Sequence, residues 1–253
     1  MEYTTDKIQE IVKLHSEGKS PTEIAKMFNT YNTTIRRILL KENVILKNQS
    51  EALASININP FQNYKTDEIS AYWLGYLISD GSVSMGKGGY RVIINTNKDP
   101  QHLQKYANYI GKPLRRYFNK THNVWEYSVV FYNKTIVQWL DNLGITPNKS
   151  LTFRFKGELN SNLVRGVFDG DGCIHADGRI SLVTGSNLFK EQLLEYLIKE
   201  GFYCKAYEDK RGNHCWNIYI TGQEHFYRTF YASTNLAMQR KKTLLGQFIG
   251  NNK

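Results

Sequence analysis

Two aspartates, Asp80 and Asp171, lie 91 residues apart in segments that end alike. One segment is Trp73-Leu74-Gly75-Tyr76-Leu77-Ile78-Ser79-Asp80-Gly81, the other Val164-Arg165-Gly166-Val167-Phe168-Asp169-Gly170-Asp171-Gly172. Each reads as a short apolar helix carrying two small residues four apart, Gly75 with Ser79 and Gly166 with Gly170, hence on one face. Small residues there let another backbone come close. The closing glycine suits a left-handed residue just past a helix end, which leaves each aspartate in the last turn, where the helix dipole disfavours a carboxylate. Two acids so placed call for a cation. If the helices pack face to face, both acids emerge together and form a divalent-metal site between two halves of the chain. Magnesium keeps several waters and binds through one or two carboxylates plus substrate phosphates, so two acids suffice. A metal held so can position an attacking water and neutralise charge on a phosphate and its leaving oxygen, as phosphodiester hydrolysis would require. A calcium loop starting at Asp169 does not fit, because Cys173, Ile174 and Ile180 stand at its fifth, sixth and twelfth positions.

The elements that must hold these acids repeat as well. Trp125, before the alternating Tyr127, Val129 and Phe131, lies 91 residues ahead of Trp216, before Ile218 and Ile220. Lys149 has a counterpart in Lys242, with acid-to-lysine distances of 69 and 71 residues. An internal duplication of about 90 residues, much longer than a solenoid repeat, follows from these landmarks.

On these motifs, residues 67 to 248 resemble the LAGLIDADG homing endonucleases in their single-chain, two-motif form. The second motif is the closer match, since Asp169-Gly170-Asp171-Gly172 keeps both acids. The first departs from the pattern, with Ile78 where an acid is common and Tyr76 at an apolar position. The resemblance implies an α+β fold of two pseudo-twofold-related αββαββα repeats. It further implies Asp80 and Asp171 as catalytic metal ligands for Mg²⁺ or another divalent cation such as Mn²⁺. Lys149 and Lys242 would stand at the catalytic edge, stabilising transition-state charge or perturbing the attacking water. Each half would cut one strand across the minor groove, leaving short 3′ overhangs. The partner would be double-stranded DNA with a long asymmetric site, read by a monomer. The same scaffold implies two other outcomes, an intron RNA-splicing role and a DNA-binding regulator without cleavage. Retention of both acids and both lysines speaks against the regulator.

A net charge of +10 and a pI near 9.3 suit a polyanionic partner. Residues 1–50 hold eight Lys/Arg against six Asp/Glu, so most of the excess lies in the duplicated part. Three cysteines without a CxxC pair point to a reducing compartment, and six scattered histidines lack zinc-ligand spacing. With no signal peptide and no apolar run of spanning length, the chain reads as soluble and intracellular, in cytoplasm, nucleoid or organelle matrix.

Residues 1–45 read as a separate all-α helix-turn-helix unit. A first helix carries Ile8, Ile11 and Val12. The run Ser20-Pro21-Thr22-Glu23 is a capping box with proline in the first turn, and Asn29 can take the left-handed turn conformation. A third helix turns Ile35, Ile38 and Leu39 inward and offers Tyr31, Asn32, Thr33, Arg36 and Arg37 to a major groove. Residues 46–66 read as a linker, 67–157 as the first repeat and 158–250 as the second. Within each repeat, alternation selects residues for a DNA-facing saddle. These are Arg91, Asn95, Arg115, Tyr117, Glu126, Ser128 and Tyr132 in the first, and Arg179, Ser181, Lys205, Tyr207, Asn217 and Tyr219 in the second. Such side chains suit phosphates and base edges.

Overall fold

The computed structural model describes residues 3–44, 46, 58–86, 89–96, 98–209 and 215–250, and the chain divides into two units, Met1–Ala52 and Leu53–Lys253. The first unit contains α1 (Thr5–Ser16), α2 (Pro21–Met27) and α3 (Asn32–Lys41). Ser20 starts α2 through a complete capping box with Glu23, and Pro21 occupies the first turn, where its missing N–H costs nothing. Asn29 takes the left-handed conformation, φ 47°, and turns the chain into α3. Ile11, Ile24, Ala25, Ile35, Ile38 and Leu39 form a core of its own.

The second unit is a mixed helix and sheet structure built twice. The first copy runs α4 (Glu68–Asp80), β1 (Gly81–Ser84), β2 (Arg91–Thr96), α5 (Pro100–Ile110), β3 (Arg115–Asn119), β4 (Val124–Tyr132) and α6 (Lys134–Asn142), then a single 3-10 turn, Lys149–Leu151. The second runs α7 (Ser161–Asp171), β5 (Gly172–Ile174), β6 (Ile180–Thr184), α8 (Asn187–Lys199), β7 (Cys204–Asp209), β8 (Cys215–Ile220), α9 (Gln223–Phe230) and α10 (Gln239–Gly250). No clear periodicity announces α10, which carries two glycines and a charged first turn; it is an addition to the expected αββαββα pattern. Both sheets are antiparallel, ordered β1-β2-β4-β3 and β5-β6-β8-β7. Side-chain oxygens of Asp67 and Asn160 cap the two motif helices on Ser70 N and Leu163 N.

The linker reading fails at its described end. Phe61 and Tyr64 are buried in the core of the second unit, and Asn160 Nδ2 donates to Tyr64 O at 3.0 Å. Two large aromatic rings in 58–66 outweigh the polar composition around them. Most of the remaining stretch, 47–57, lies outside the described residues. Among the described residues no helix is long and apolar enough to cross a membrane.

Candidate active site

Helices α4 and α7 touch backbone to backbone. A Cβ on Gly75 would lie 2.0 Å from Leu163 O, and one on Gly166 would lie 2.1 Å from Tyr72 O. On Gly170 it would meet Ser79 Oγ at 1.9 Å and Asp80 Cγ at 3.3 Å. The small pairs are therefore the condition for contact, and the contact brings the two helix ends together. The closing glycines behave differently from expectation. Gly81 and Gly172 are extended, φ −96° and −82°, because each helix passes directly into a strand. Glycine is still required there, since a Cβ would meet the Leu77 side chain at 2.3 Å or the Phe168 ring at 2.4 Å.

Asp80 and Asp171 consequently share one electrostatic site. Burial raises the Asp80 carboxyl above its ordinary range, opposed by Tyr76, Lys241, Arg240 and Lys149. The Tyr76 hydroxyl lies beside Asp80, although its oxygen completes no hydrogen bond of ordinary geometry. Asp171 still reaches solvent, but the protein packed around it leaves it poorly hydrated. This burial and the repulsion of Asp80 push it up to about 7 against the pull of Lys149 and Lys241.

Lys149, nearly buried, donates to Gly81 O at 2.8 Å. Burial lowers its ammonium while Asp171 and then Asp80 hold it up. The corresponding lysine of the second copy is Lys241, not Lys242. Its Nζ donates to Gly172 O at 2.6 Å, Phe168 O at 2.6 Å and Asp169 O at 2.8 Å, and burial brings it down to about 8. Lys242 turns away and donates to Thr234 O at 2.5 Å. Adjacent lysines on α10 point in different directions, so one residue of register decides which reaches the acids. Spacing held the clue, because Lys241 lies 70 residues after Asp171, nearer the 69 of the first copy. The influences also cross between copies. Lys149 acts on Asp171 more than Lys241 does, and Lys241 acts on Asp80 more than Lys149 does. Lys149 and Asp171 line one small cleft with Ser79 and Ser150.

Asp169, the additional acid of the second motif, is fully buried and structural in its contacts. It accepts from Tyr231 Oη and Tyr72 Oη, each at 2.6 Å, and from Met238 N at 2.7 Å. Tyr72 spends its proton on Asp169, so His102 Nε2, 2.7 Å away, is the donor to Tyr72. Neither this network nor Arg240 was evident from spacing.

Pairing register places Arg91, Asn95, Arg115, Tyr117, Glu126, Ser128 and Tyr132 on one face of the first sheet, opposite Val92, Ile94, Val129 and Phe131. In the second sheet Ser181, Lys205, Tyr207, Asn217 and Tyr219 likewise share a face. Arg179 directly precedes β6 and lines a concavity with Lys205, Tyr207 and Tyr219. Exposure corrects several members. Ser128 and Ser181 are buried, being short side chains flanked by longer neighbours on paired strands, and Ser181 Oγ lies 2.8 Å from His175 Nε2. Tyr117 donates to Glu126 at 2.5 Å, and Arg179 is paired with Asp177 at 2.7 Å. In the first unit Tyr31, Thr33 and Arg37 are exposed and Arg36 is half-buried. Asn32 is not free, because its Nδ2 donates to Thr22 Oγ1 at 2.6 Å.

Two aspartates are a hard, oxygen-only donor set. Among the described residues no third His, Cys, Asp or Glu completes a metal-binding group with them. Burial and then the repulsion of Asp80 lift Asp171 beyond what the two lysines offset; a divalent cation would oppose both, so the residues present fit such an ion with water and phosphate completing its shell.

Residues 158–231 match the LAGLIDADG-like domain family, and residues 4–49 match the CENP-B N-terminal DNA-binding domain. Among curated relatives, the DNA-directed RNA polymerase subunit Rpo1C of Methanocaldococcus jannaschii is 25% identical over 198 residues, 75% of this chain and 22% of that protein. The chain thus spans about a fifth of that relative, and 10% of the replication factor C small subunit of the same organism, also 25% identical over 198 residues. An uncharacterized protein of that organism is 30% identical over 178 residues, covering 66% of this chain and 64% of its own length. Variants of the homing endonuclease I-DmoI superpose with a TM-score of 0.53 at 17% identity, over 75% of this chain and all of theirs. The homing endonuclease I-WcaI, bound to its DNA recognition sequence, gives 0.53 at 16% identity over 79% and 98%. I-DmoI in complex with DNA and Ca gives 0.50 at 18% identity over 75% and 100%. The backbone contact at the motif glycines, the repeated strand order and these matches agree: residues 158–231 form a LAGLIDADG-like domain, and the second unit has the two-repeat fold of the homing endonucleases I-DmoI and I-WcaI, with a helix-turn-helix-like unit earlier in the chain.

Proposed function

We propose that this chain is a divalent-metal-dependent endonuclease that cuts both strands of duplex DNA at a long asymmetric site. The observation that carries the reading is the convergence of Asp80 and Asp171 at the ends of two helices in backbone contact, each helix end backed by a lysine. Asp80 and Asp171 would hold the metal, Mg²⁺ or Mn²⁺, which when bound supplies charge neutralisation and a more acidic water. The similar I-DmoI complex contains DNA and Ca. Lys149 and Lys241 keep positive charge at the two helix ends, where negative charge develops on the phosphate during hydrolysis. The close packing of α4 and α7 fixes the acids before substrate arrives, so little reorganisation accompanies the reaction.

The two sheet faces would carry the DNA, with Arg91, Asn95, Arg115, Lys205, Tyr207, Asn217 and Tyr219 as the contacting side chains. Tyr31, Thr33, Arg36 and Arg37 of the first unit would add contacts to an adjoining groove. Two unlike halves in one chain read an asymmetric site, so a monomer suffices.

The test is a cleavage selection from a randomised duplex library with Mg²⁺, run beside the Asp80→Asn/Asp171→Asn double variant. One long asymmetric sequence cut by the parent protein alone is the expected result. Enrichment of the same sequence by binding, with cleavage by neither protein, would replace this reading with that of a DNA-binding regulator. Neither cutting nor enrichment would redirect the search to structured intron RNA.

A further inference from the structure

We infer that Asp169 is a positioning residue for Lys241, and that it makes the two halves of the active site mechanically unequal. The inference rests on the endonuclease reading and adds to it the device that holds one half in place.

The carboxylate of Asp169 grips both ends of one connection. Oδ1 accepts from Tyr231 Oη, in the residue directly after α9, and Oδ2 accepts from Met238 N, directly before α10. Between them runs the segment that delivers Lys241. The same residue's backbone oxygen accepts from Lys241 Nζ at 2.8 Å, and Lys241 N donates to Met238 O at 3.0 Å. Asp169 therefore touches the lysine's carrier at three points while reaching neither solvent nor the metal-facing edge. Tyr72, whose hydroxyl donates to Oδ2 and accepts from His102, fixes the carboxylate's own orientation from the facing motif helix. With both oxygens occupied and no exposure, the group has no freedom to shift.

Among the described residues of the first copy no carboxylate takes this place. Its residue at the matching motif position is Ile78. Lys149 is delivered by a 3-10 turn entered through Asn148 in the left-handed conformation, φ 57°, and among the described residues its ammonium donates to Gly81 O alone, where Lys241 donates to three carbonyls. The connection that carries Lys149 is held just beyond it by Ser186 Oγ on Phe153 O and by Gln192 on Phe155, away from the Asp169 carboxylate, whereas the one that carries Lys241 depends on that buried carboxylate. Disturbing the carboxylate must then move one lysine and leave the other.

The experiment is strand-resolved single-turnover cleavage of a selected duplex, each strand end-labelled separately. Lys241→Met and Lys149→Met first identify which strand depends on which lysine. Tyr231→Phe, which removes one hydrogen bond without altering ring packing, should slow the Lys241-dependent strand by about ten-fold, the equivalent of one missing hydrogen bond. The other strand should stay within about two-fold, so that DNA nicked in one strand accumulates. Affinity for the duplex should be unchanged. Asp169→Asn should act on the same strand more strongly, and if it does not fold, Tyr231→Phe decides alone. Equal slowing of both strands, slowing of the Lys149-dependent strand, or no change would overturn the inference. Absence of cleavage by the parent protein would overturn the endonuclease reading itself and this inference with it.

Discussion

Lys241 donates from Nζ to the carbonyl oxygen of Gly172 at 2.6 Å, immediately beyond Asp171. The last carbonyls of a helix lack partners within it, and a buried lysine here reaches Phe168 O and Asp169 O of the last turn and Gly172 O just beyond it, while keeping its charge beside Asp80 and Asp171. Lys149 repeats the relationship on Gly81.

Lys241 and Lys242 separate cleanly by mutation. Lys241→Met should lower cleavage by about a hundred-fold, the scale of losing one charge-stabilising group. Lys242→Met should stay within about two-fold, because its ammonium turns to the Thr234 carbonyl. Rates measured at saturating metal, with thermal unfolding of each variant as a control, distinguish them. Comparable loss from both changes would remove the assignment of Lys241.

The motif glycines should tolerate no methyl group. Gly75→Ala or Gly166→Ala drives a Cβ into a carbonyl oxygen of the facing helix, and neither backbone can yield without parting the helices. A loss of about 3 kcal/mol is expected, at the upper end of overpacking costs. Denaturant unfolding measures it. Gly18→Ala is a useful contrast, for its added Cβ meets nothing within 4 Å and only its positive φ, 95°, opposes the change.

Acid should destabilise the second unit through His102. Burial brings this imidazole down to about 4, against about 6.5 in an unfolded chain. A folded value below the unfolded one means the contribution is complete above about pH 6.5 and is lost as pH falls toward 4. The gap corresponds to about 3 kcal/mol. Urea unfolding at pH 7.5 and pH 5 should show a smaller acid penalty in His102→Gln than in the parent. Identical penalties would show that His102 is not held neutral by the fold.

Much of this was legible in the residues. Period-two alternation put the chosen residues on one face of each sheet, because side chains alternate between the two faces and the opposite face carries the core. Small residues at i and i+4 announced the helix contact. What escaped depended on three-dimensional neighbours. Ser128 and Ser181 lie on the expected face but under longer side chains, which no single-strand pattern reveals. The choice between Lys241 and Lys242 turns on the orientation of α10, whose own periodicity is weak. Gly81 and Gly172 read as helix-ending residues, whereas the chain continues straight into strands, and sterics alone demand glycine.

Removal of residues 1–50 should weaken DNA binding by about a hundred-fold, as expected when one of two linked modules is absent. It should shorten the footprint and leave metal-dependent cutting at saturating protein. The salt dependence of binding should become shallower by about one for each phosphate that Arg36 and Arg37 would neutralise. Loss of all cleavage would place the helical unit inside the catalytic assembly.

The contact between Gly75 and the carbonyl of Leu163, mirrored by Gly166 and Tyr72, has a bearing on how such a protein can diverge. Where two backbones touch, no side chain mediates their separation, so no ordinary substitution can tune it. The interval between Asp80 and Asp171 is a constant of the architecture. The sheet faces, in contrast, present side chains that can be exchanged one at a time without disturbing the helix pair. In the proposed reaction, the sequence that is read is then free to drift through generations of the protein, while the stagger between the two cuts is inherited unchanged.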